Sequence, residues 1–300
     1  MKLLFLIPAL LTLPLFFYKL GQTSLVSWDE AWYGEIARNI IKSGDLINLT
    51  WNSNPYFDHP PTGFWSMALT YKIFGVNEFW TRFPSAIAGI TSIILLYLLG
   101  KKLFNPLVGL SSAIALSSTI WFIYRSRSGN LDSILTMFFL LTLLLATVAV
   151  EKKKYLLSLS ISLSLLFLTK TMVPLTIIPA LVLIFYKNRT YKLRNLILPT
   201  LLLLTIAGGW FTSQIIQYTN FIQNYLGVGL RGVNLQSSYS ANLFLTKDYL
   251  YNGIGRWFWP GVLSLGLSIF LMQKKFFILL IFFVSFILPI NFSPKIQILH

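Results

Sequence analysis

The sequence predicts an all-α polytopic membrane protein, and three features point to this class. Charged residues make up 11% of the 300-residue chain, against about 25% in soluble domains. Hydrophobic residues make up 55%, and the mean hydropathy is +0.69. The apolar runs approach the length of about 20 residues that a helix needs to cross a bilayer. They do not alternate apolar with polar residues, as the strands of a membrane β-barrel would.

Nine apolar runs predict nine spans within a single domain that comprises residues 1–300. The predicted spans are residues 3–20, 83–100, 106–123, 131–150, 155–169, 171–186, 195–212, 257–272 and 276–290. The first is expected to be a retained helix and not a signal peptide, because it lacks a small-residue cleavage pattern. Segment 62–80 is apolar but is interrupted by Lys72, Gly75 and Glu78, so it predicts a helix that lies at the membrane interface.

Basic residues in the short loops predict the orientation. If the N-terminus is cytoplasmic, four short loops also lie on the cytoplasmic side: "KKLFN", "EKKKY", "KNRTYKLR" and "QKK". Together with Lys2, these loops carry 12 of the 24 Lys and Arg residues and one acid. Short basic loops stay in the cytoplasm. Loops 21–82 and 213–256 then lie outside, and the first holds six of the nine acids. The sequence therefore predicts a multi-pass plasma-membrane protein whose chemistry faces outward, and its net charge of +15 does not indicate a nucleic-acid partner.

The first acidic motif is "SWDEAWYGEIA", residues 27–37. Ser27 and Glu30 have the spacing of a capping box, and acids in a first helical turn complement the helix dipole. This structural reading explains Glu30 better than Asp29. Asp29 shares a helix face with Tyr33, among aromatic residues where a partly buried carboxylate becomes a base. The sequence thus predicts a cap that places a catalytic acid.

Asp132 begins a long apolar span at the same outer face. An acid at the edge of a membrane is a functional candidate. The alternative is an acid at a helix N-terminus that pairs with Arg125 or Arg127, and the sequence leaves both readings open.

The remaining candidates lie in the outer segments "YFDHPPTGFW", "LTKTMVP" and the second outer loop. Asp58 and His59 precede two prolines that fix the direction of the chain, and the pair fits an oriented cation, a base or half of a metal site. Lys170 fits either a snorkelling side chain or a phosphate contact. Arg231 and Arg256 fit an interface anchor or the same phosphate. The chain has no cysteine, so disulfides and thiolate metal sites are excluded.

These motifs, taken in order, resemble a known family. The runs "WDEAWYGEIARNIIKSGD", "YFDHPPTGFWSMALTYKIFGVNEFWTRFPSAIAGI" and "GKKLFN", the acid-led span at Asp132 and "LTKTMVP" are similar to the membrane-embedded GT-C glycosyltransferases. Within these, the chain resembles the protein O-mannosyltransferases and the lipid A aminoarabinose transferases. The resemblance is strong over residues 25–175 and loose from 195 onward. It implies a GT-C-like transmembrane bundle with interfacial helices in the first outer loop.

The resemblance also implies an activity, which is the inverting transfer of a hexose or pentose from a polyprenyl or dolichyl phosphate to a lipid, glycan or protein hydroxyl outside the cytoplasm. Its implied catalytic residues are Asp29, Glu30 and Asp132; its implied donor-phosphate residues are His59, Lys170, Arg231 and Arg256; its implied cavity residues are Tyr33, Tyr56 and Asp58. His59 stands where aminoarabinose transferases tend to carry Lys, which points away from lipid A modification. A divalent cation held by Asp29 and Asp132 is left open, because a monophosphate donor departs without one.

Two departures from the family and two alternatives complete the prediction. No carboxylate or histidine occurs between residues 213 and 231, and the family usually runs well beyond 300 residues, so a fragment or a short form is expected.

A transporter or flippase for lipid-linked sugars would use the same basic contacts and apolar grooves. Transporters often carry inverted repeats, whereas this sequence shows none and gathers its acids at one face, which favours an enzyme. A purely structural subunit leaves the acidic first loop unexplained.

Overall fold

The computed structural model describes residues 6–26, 28–187, 194–230, 251–270 and 280. Its regular elements are helices and one short hairpin. The helices are α1 (Leu6–Phe17), α2 (Asp29–Ser43), α3 (Thr62–Phe74), α4 (Glu78–Leu103), α5 (Pro106–Ser117), α6 (Ile120–Ser126), α7 (Asp132–Glu151), α8 (Leu156–Phe167), α9 (Ile178–Lys187), α10 (Arg194–Leu203), α11 (Gly209–Gln217), α12 (Phe221–Leu230) and α13 (Phe258–Phe270). Short 3₁₀ turns lie at Lys153–Tyr155, Val173–Ile177 and Gly255–Trp257, and a π turn at Leu204–Gly208 joins α10 to α11.

The membrane class is confirmed, whereas the count of nine spans is not. Within the described ranges, three helical stretches are long and apolar enough to cross a bilayer: α4, α7 and the continuous stretch from α10 to α11. A fourth results if α5 and α6, bent by 68°, count as one span. Helices α1 and α9 are apolar but shorter. The predicted span 276–290 lies outside the described residues apart from residue 280.

Helix α4 is the centre of the bundle and contacts α1, α3, α5, α6 and α7. It begins where Asn77 accepts the backbone N–H of Trp80 at 2.9 Å, a normal N-cap contact. Its C-terminal half touches the backbone of α5, because a Cβ on Gly109 would lie 2.5 Å from the carbonyl oxygen of Tyr97. Only glycine permits this approach.

The first predicted outer loop folds into helices α2 and α3 joined by a hairpin of β1 (Thr50–Trp51) and β2 (Asn54–Pro55). Asn52 and Ser53 between the strands have φ of 48° and 61°, the left-handed conformation of a type I′ turn. The buried faces of α2 and α3 form one apolar cluster beneath the hairpin. Gly75 (φ 88°) ends α3, so the predicted segment 62–80 is a helix as far as residue 74.

Candidate active site

A buried ion pair between Glu30 and Arg82 fixes the start of α2 against α4. Both side chains are 5% exposed, and Arg82 donates to the two carboxylate oxygens at 3.0 and 2.8 Å. The other guanidinium N–H groups donate to the carbonyls of Leu20, Thr23 and Ser24 at 2.8–3.0 Å. All five donors of the arginine are therefore used.

The carboxylate of Glu30 is equally well satisfied. It accepts the backbone N–H of Val26 at 2.8 Å and that of Gly129 at 2.7 Å in addition to Arg82. Burial disfavours the charged form, but the hydrogen bonds from Arg82, Val26 and Gly129 outweigh burial and hold the pKa of Glu30 below its ordinary value. Glu30 thus joins α2 to the chain before it and to the loop before α7. Its predicted catalytic role stays a prediction, and these contacts favour a structural one.

The start of α2 differs from the predicted capping box. Ser27 lies outside the described residues, and Trp28 precedes the helix with φ 75° and no side-chain cap. Glu30 still reaches back to a backbone N–H, but that group belongs to Val26. A bulky residue at positive φ is strained, and here it directly precedes Asp29.

Asn130 places Asp132 at the start of α7. This asparagine is 1% exposed, and its Oδ1 accepts the backbone N–H of Asp132 at 2.9 Å. Its Nδ2 donates to the carbonyl of Arg125 at 3.0 Å, and Ser85 of α4 donates to its backbone oxygen at 2.6 Å. The loop between α6 and α7 is therefore tied to α4 through Asn130.

Asp132 lies between two cations. Its Oδ1 accepts from Lys170 Nζ at 2.5 Å, and its Oδ2 accepts from the guanidinium of Arg125, whose Nε lies at 2.8 Å. The predicted pairing with Arg125 is confirmed, whereas Arg127 donates instead to backbone carbonyls at the end of α1. Arg125 Nη2 also lies 4.0 Å from Asp29 Oδ2. Arg125 therefore links two acids that are far apart in the sequence.

The phenol of Tyr33 is buried near these charged groups. It is 6% exposed. Burial raises its pKa, and the charges of Asp29, Asp132 and Asp58 raise it further while Arg125 opposes them. The charges of three predicted site carboxylates therefore act on one buried hydroxyl.

Tyr56 packs on the same phenylalanine ring as Tyr33. Its ring meets Phe64 edge-on at 5.7 Å, and Phe64 meets Tyr33 edge-on at 5.4 Å. Burial raises the pKa of Tyr56, and the neighbouring Tyr33 and Asp58 add to the shift. The ring of His59 lies 5.9 Å from that of Tyr33. The predicted cavity residues thus come together.

The loop that carries Asp58 and His59 is docked on the segment that carries Lys170. His59 Nδ1 lies 3.0 Å from Thr171 Oγ1, and the Thr171 hydroxyl donates to the carbonyl of Asp58. Thr62 donates through its backbone N–H and its hydroxyl to carbonyls at the C-terminal end of α8, at 2.8 and 3.1 Å. The loop of His59 is therefore in contact with the segment that carries Lys170, the other predicted phosphate contact described here.

The two remaining basic candidates are less defined. Arg231 lies outside the described residues, and Arg256 is exposed in the 3₁₀ turn Gly255–Trp257. Their roles stay predictions.

The described residues of the candidate site do not fit a resident metal ion. No group of three or more His, Cys, Asp or Glu side chains with metal-binding spacing occurs among the residues that the structure describes. Both carboxylate oxygens of Asp132 already accept from cationic side chains. We therefore derive no step through a metal.

Sequence reasoning missed Arg82, Asn130 and Thr171, and it considered Arg125 only as a partner of Asp132. Arg82 carried a signal, because an arginine at the edge of an apolar span needs a partner or a path to water. Asn130 and Thr171 carried none, since their roles depend on loops that meet only in the fold.

The fold is that of the membrane-embedded GT-C glycosyltransferases. ArnT from Cupriavidus metallidurans bound to undecaprenyl phosphate superposes with a TM-score of 0.79 at 21% identity, covering 97% of this chain and 55% of that one. The Archaeoglobus fulgidus oligosaccharyltransferase in complex with zinc and sulfate gives a TM-score of 0.59 at 14% identity, covering 95% of this chain and 46% of that one.

The chain belongs to the family described as dolichyl-phosphate-mannose-protein mannosyltransferase, whose sequence profile matches residues 58–215, more than half of the chain. An uncharacterised Aquifex aeolicus protein is 33% identical over 220 residues, which are 71% of this chain and 43% of that protein. The undecaprenyl phosphate-alpha-4-amino-4-deoxy-L-arabinose arabinosyl transferase 1 of Pseudomonas fluorescens is 31% identical over 150 residues, 49% of this chain and 26% of that protein. The chain therefore spans less than half of the length of these relatives.

Proposed function

We propose that this chain is a glycosyltransferase that moves a sugar from a polyprenyl or dolichyl phosphate to an acceptor hydroxyl. The observation that carries the proposal is the convergence of four charged side chains from separate parts of the chain: Asp29 at the start of α2, Arg125 in α6, Asp132 at the start of α7 and Lys170 in the segment after α8. The names of the relatives add a shared donor chemistry, since both the family description and the arabinosyl transferases refer to a sugar on a lipid phosphate. The sugar is a hexose such as mannose or a pentose.

Asp29 is the base in this proposal. Its side chain is 52% exposed, and its described ion-pair partner, Arg125, lies at 4.0 Å. Asp132 is held at both oxygens by Arg125 and Lys170, so taking a proton would cost it those contacts. Asp29 therefore accepts the acceptor proton, while Asp132 orients the two cations.

Lys170 and His59 hold the donor phosphate, with Arg231 and Arg256 as further contacts. An ammonium group has three N–H donors, so the bond to Asp132 leaves Lys170 with donors for an anion. His59 contacts the hydroxyl of Thr171, the residue that follows Lys170, and this contact supports a shared role of the two side chains. Charge-assisted bonds to the leaving phosphate stabilise the transition state as the bond to the sugar breaks.

The reaction is a single displacement with inversion. The acceptor oxygen gives its proton to Asp29 and forms a bond to the anomeric carbon. The bond from that carbon to the phosphate oxygen breaks at the opposite face, and the polyprenyl phosphate leaves as an anion that needs no proton. One base is sufficient, whereas a glycosidase needs an acid and a base.

The site faces the extracytoplasmic side of the plasma membrane in this proposal, with nine spans and a cytoplasmic N-terminus. The residues at the two ends of α7 support this orientation. The helix has 20 residues, a length of about 30 Å, with Asp132 at its start and Glu151 at its end. Glu151 pairs with Lys102 at 2.5 Å and is followed by three lysines. The basic loops and the site therefore lie at opposite ends of a helix as long as the bilayer is thick.

The test is sugar transfer from radiolabelled polyprenyl-phosphate mannose, glucose and arabinose to membrane extract, with wild type beside Asp29→Asn. We expect wild type to transfer label and Asp29→Asn to lose about 10²–10⁴-fold of the rate, with undecaprenyl phosphate binding retained. Glu35→Gln on the same helix is the control, because Glu35 is 39% exposed and forms only long ion pairs, with Arg38 at 3.7 Å and with Lys42 at 3.9 Å.

Near-normal transfer by Asp29→Asn would remove Asp29 from the role of base. Absence of transfer by wild type from every donor, with lipid phosphate still bound, would favour a lipid-linked sugar transporter instead.

A further inference from the structure

We propose that a groove between α8, α9 and α10 binds an anionic phospholipid, with an acyl chain in the groove and the headgroup phosphate at the lysines that precede α8. The groove shares no lining residue with the candidate active site. The inference goes beyond the proposed transfer reaction and does not depend on it.

The groove is an apolar cavity of about 450 Å³, a volume within the usual range of about 300–1,000 Å³ for small-molecule sites. Residues three and four positions apart share one face of a helix, and such residues of α8 and α10 form two of its walls. These walls comprise Leu156, Leu159, Leu163, Leu196, Pro199 and Leu203. Val182 of α9 belongs to the third wall and is 58% exposed, so the groove opens at the surface.

The lining offers contacts to hydrocarbon and few to a polar ligand. None of the lining residues, all of which lie in the part of the chain that the structure describes, is charged. The hydroxyl of Ser160 donates to the carbonyl of Leu156 on its own helix at 3.1 Å. Burying a polar group that gains no hydrogen bond is unfavourable, so the groove favours an apolar chain as its occupant.

The groove lies in the half of α8 that is remote from the candidate site. Lys170, in the segment after α8, pairs with Asp132 at the start of α7, so the C-terminal end of α8 is the end near the site. The groove residues of α8 extend from its first residue, Leu156, to Leu163. A lipid phosphate bound at the candidate site and a headgroup bound beside this groove therefore belong to opposite ends of the bundle.

Positive charge is concentrated where the groove begins. Three exposed lysines, residues 152–154, lie directly before the first groove residue of α8. The adjacent acid, Glu151, pairs with Lys102 at 2.5 Å, so a lysine of α4 already balances its charge. Arg194, also exposed, is the first residue of α10 and precedes the groove residue Leu196 by two positions. Clusters of basic residues beside a membrane helix attract anionic lipid headgroups, and the adjoining groove accommodates a tail.

The first test measures lipid binding to the purified full chain by native mass spectrometry. Palmitoyl-oleoyl phosphatidylglycerol and palmitoyl-oleoyl phosphatidylcholine are titrated separately, because they share their acyl chains and differ in headgroup charge. We expect wild type to bind phosphatidylglycerol more tightly. Lys153→Gln combined with Lys154→Gln should weaken that binding roughly fivefold for each lysine removed and leave phosphatidylcholine unaffected. The matched control is Lys42→Gln combined with Lys72→Gln, which removes the same charge from exposed lysines of α2 and α3.

The second test fills the groove. Val182→Trp adds a bulky side chain to the groove wall at an exposed position, and Leu198→Trp makes a similar change on α10 at a residue that is 60% exposed and outside the lining. Val182→Trp should lose the tight binding of phosphatidylglycerol, whereas Leu198→Trp should retain it. Thermal unfolding of both variants checks that neither change disrupts the fold.

The outcomes distinguish the possible occupants. Equal affinity for phosphatidylglycerol in the two double lysine variants would overturn the role of the lysines, and equal affinity in the two tryptophan variants would overturn the role of the groove. Competitive displacement of phosphatidylglycerol by undecaprenyl phosphate would overturn the proposal in favour of a polyprenyl tail. Absence of a tight phosphatidylglycerol site in wild type would overturn it in favour of a groove covered by protein. Neither test measures sugar transfer, so a failure of the proposed function would leave these results unchanged.

Discussion

Replacement of Glu30 by glutamine tests whether the buried ion pair holds the site together. Glu30→Gln preserves the shape of the side chain but exchanges one carboxylate oxygen for an NH₂ group. Each oxygen accepts two bonds, one from Arg82 and one from a backbone N–H, of Gly129 for Oε1 and of Val26 for Oε2. Whichever oxygen is replaced, two donors lose their acceptor, and Arg82 keeps an unpaired charge at 5% exposure.

The size of the effect follows from these two lost bonds. A hydrogen bond to a charged group contributes about 1.5–3 kcal/mol, and a buried N–H without an acceptor costs about 1–3 kcal/mol. The sum agrees with the cost of about 3–5 kcal/mol for removing one partner of a buried ion pair. We therefore expect Glu30→Gln to lower the free energy of unfolding by about 3–5 kcal/mol.

The assay is thermal or SDS unfolding of the purified protein in detergent, followed by the fluorescence of its nine tryptophans. Glu35→Gln is the matched control, since it makes the same chemical change on the same helix at a side chain that is 39% exposed. Surface pairs are worth about 0–1 kcal/mol. The reasoning is refuted if the two variants unfold at the same midpoint.

Two further predictions concern pH and helix packing. Folding lowers the pKa of Glu30. The ionised Glu30 therefore stabilises the fold above the pKa that this carboxyl has in the unfolded chain, and this stabilisation is lost as pH falls through its pKa in the folded protein. The stability difference between wild type and Glu30→Gln should therefore shrink below about pH 4.3 in unfolding series at graded pH, and a constant difference would contradict it. Gly109→Ala should cost about 1–3 kcal/mol, because its Cβ would lie 2.5 Å from the backbone oxygen of Tyr97. Gly209→Ala, with no atom within 4 Å of the new Cβ, should be neutral or stabilising by about 0.5–1 kcal/mol under the same unfolding assay, and equal losses in the two variants would contradict this reading.

Much of the helical framework was predictable from the apolar runs and from the residues that interrupt them. The predicted span 131–150 matches α7, and the predicted span 83–100 lies within α4, because long apolar helices leave a strong signal. The interface segment was correctly predicted as a helix, and Gly75 ends it. Predicted span 106–123 became two helices with a 68° bend. Hydropathy cannot reveal such a bend, because both halves are apolar.

The site was predictable in its residue types but not in its pairings. Asp29, Asp132 and Lys170 stood out because charges at a membrane edge are rare and costly. Arg125, which links Asp29 to Asp132, was visible only as one of two neighbouring arginines. The sequence offered both as partners of Asp132. The fold uses Arg125, and Asn130 is bonded both to the carbonyl of Arg125 and to the backbone N–H of Asp132.

The adjacent acids Asp29 and Glu30 illustrate how one helix start serves both folding and chemistry. Successive residues on a helix point about 100° apart, so one acid faces inward and the other outward. The carboxylate of Glu30 is 5% exposed and fully bonded, whereas that of Asp29 is 52% exposed and lies 4.0 Å from its cation. The charge of Glu30 is used to hold α2 against α4 and against the loop before α7. This loop follows α6, which carries Arg125, and it leads to Asp132. The contacts of Glu30 therefore set the position of Asp29 relative to both residues, and Asp29, which stays exposed, remains available for a proton.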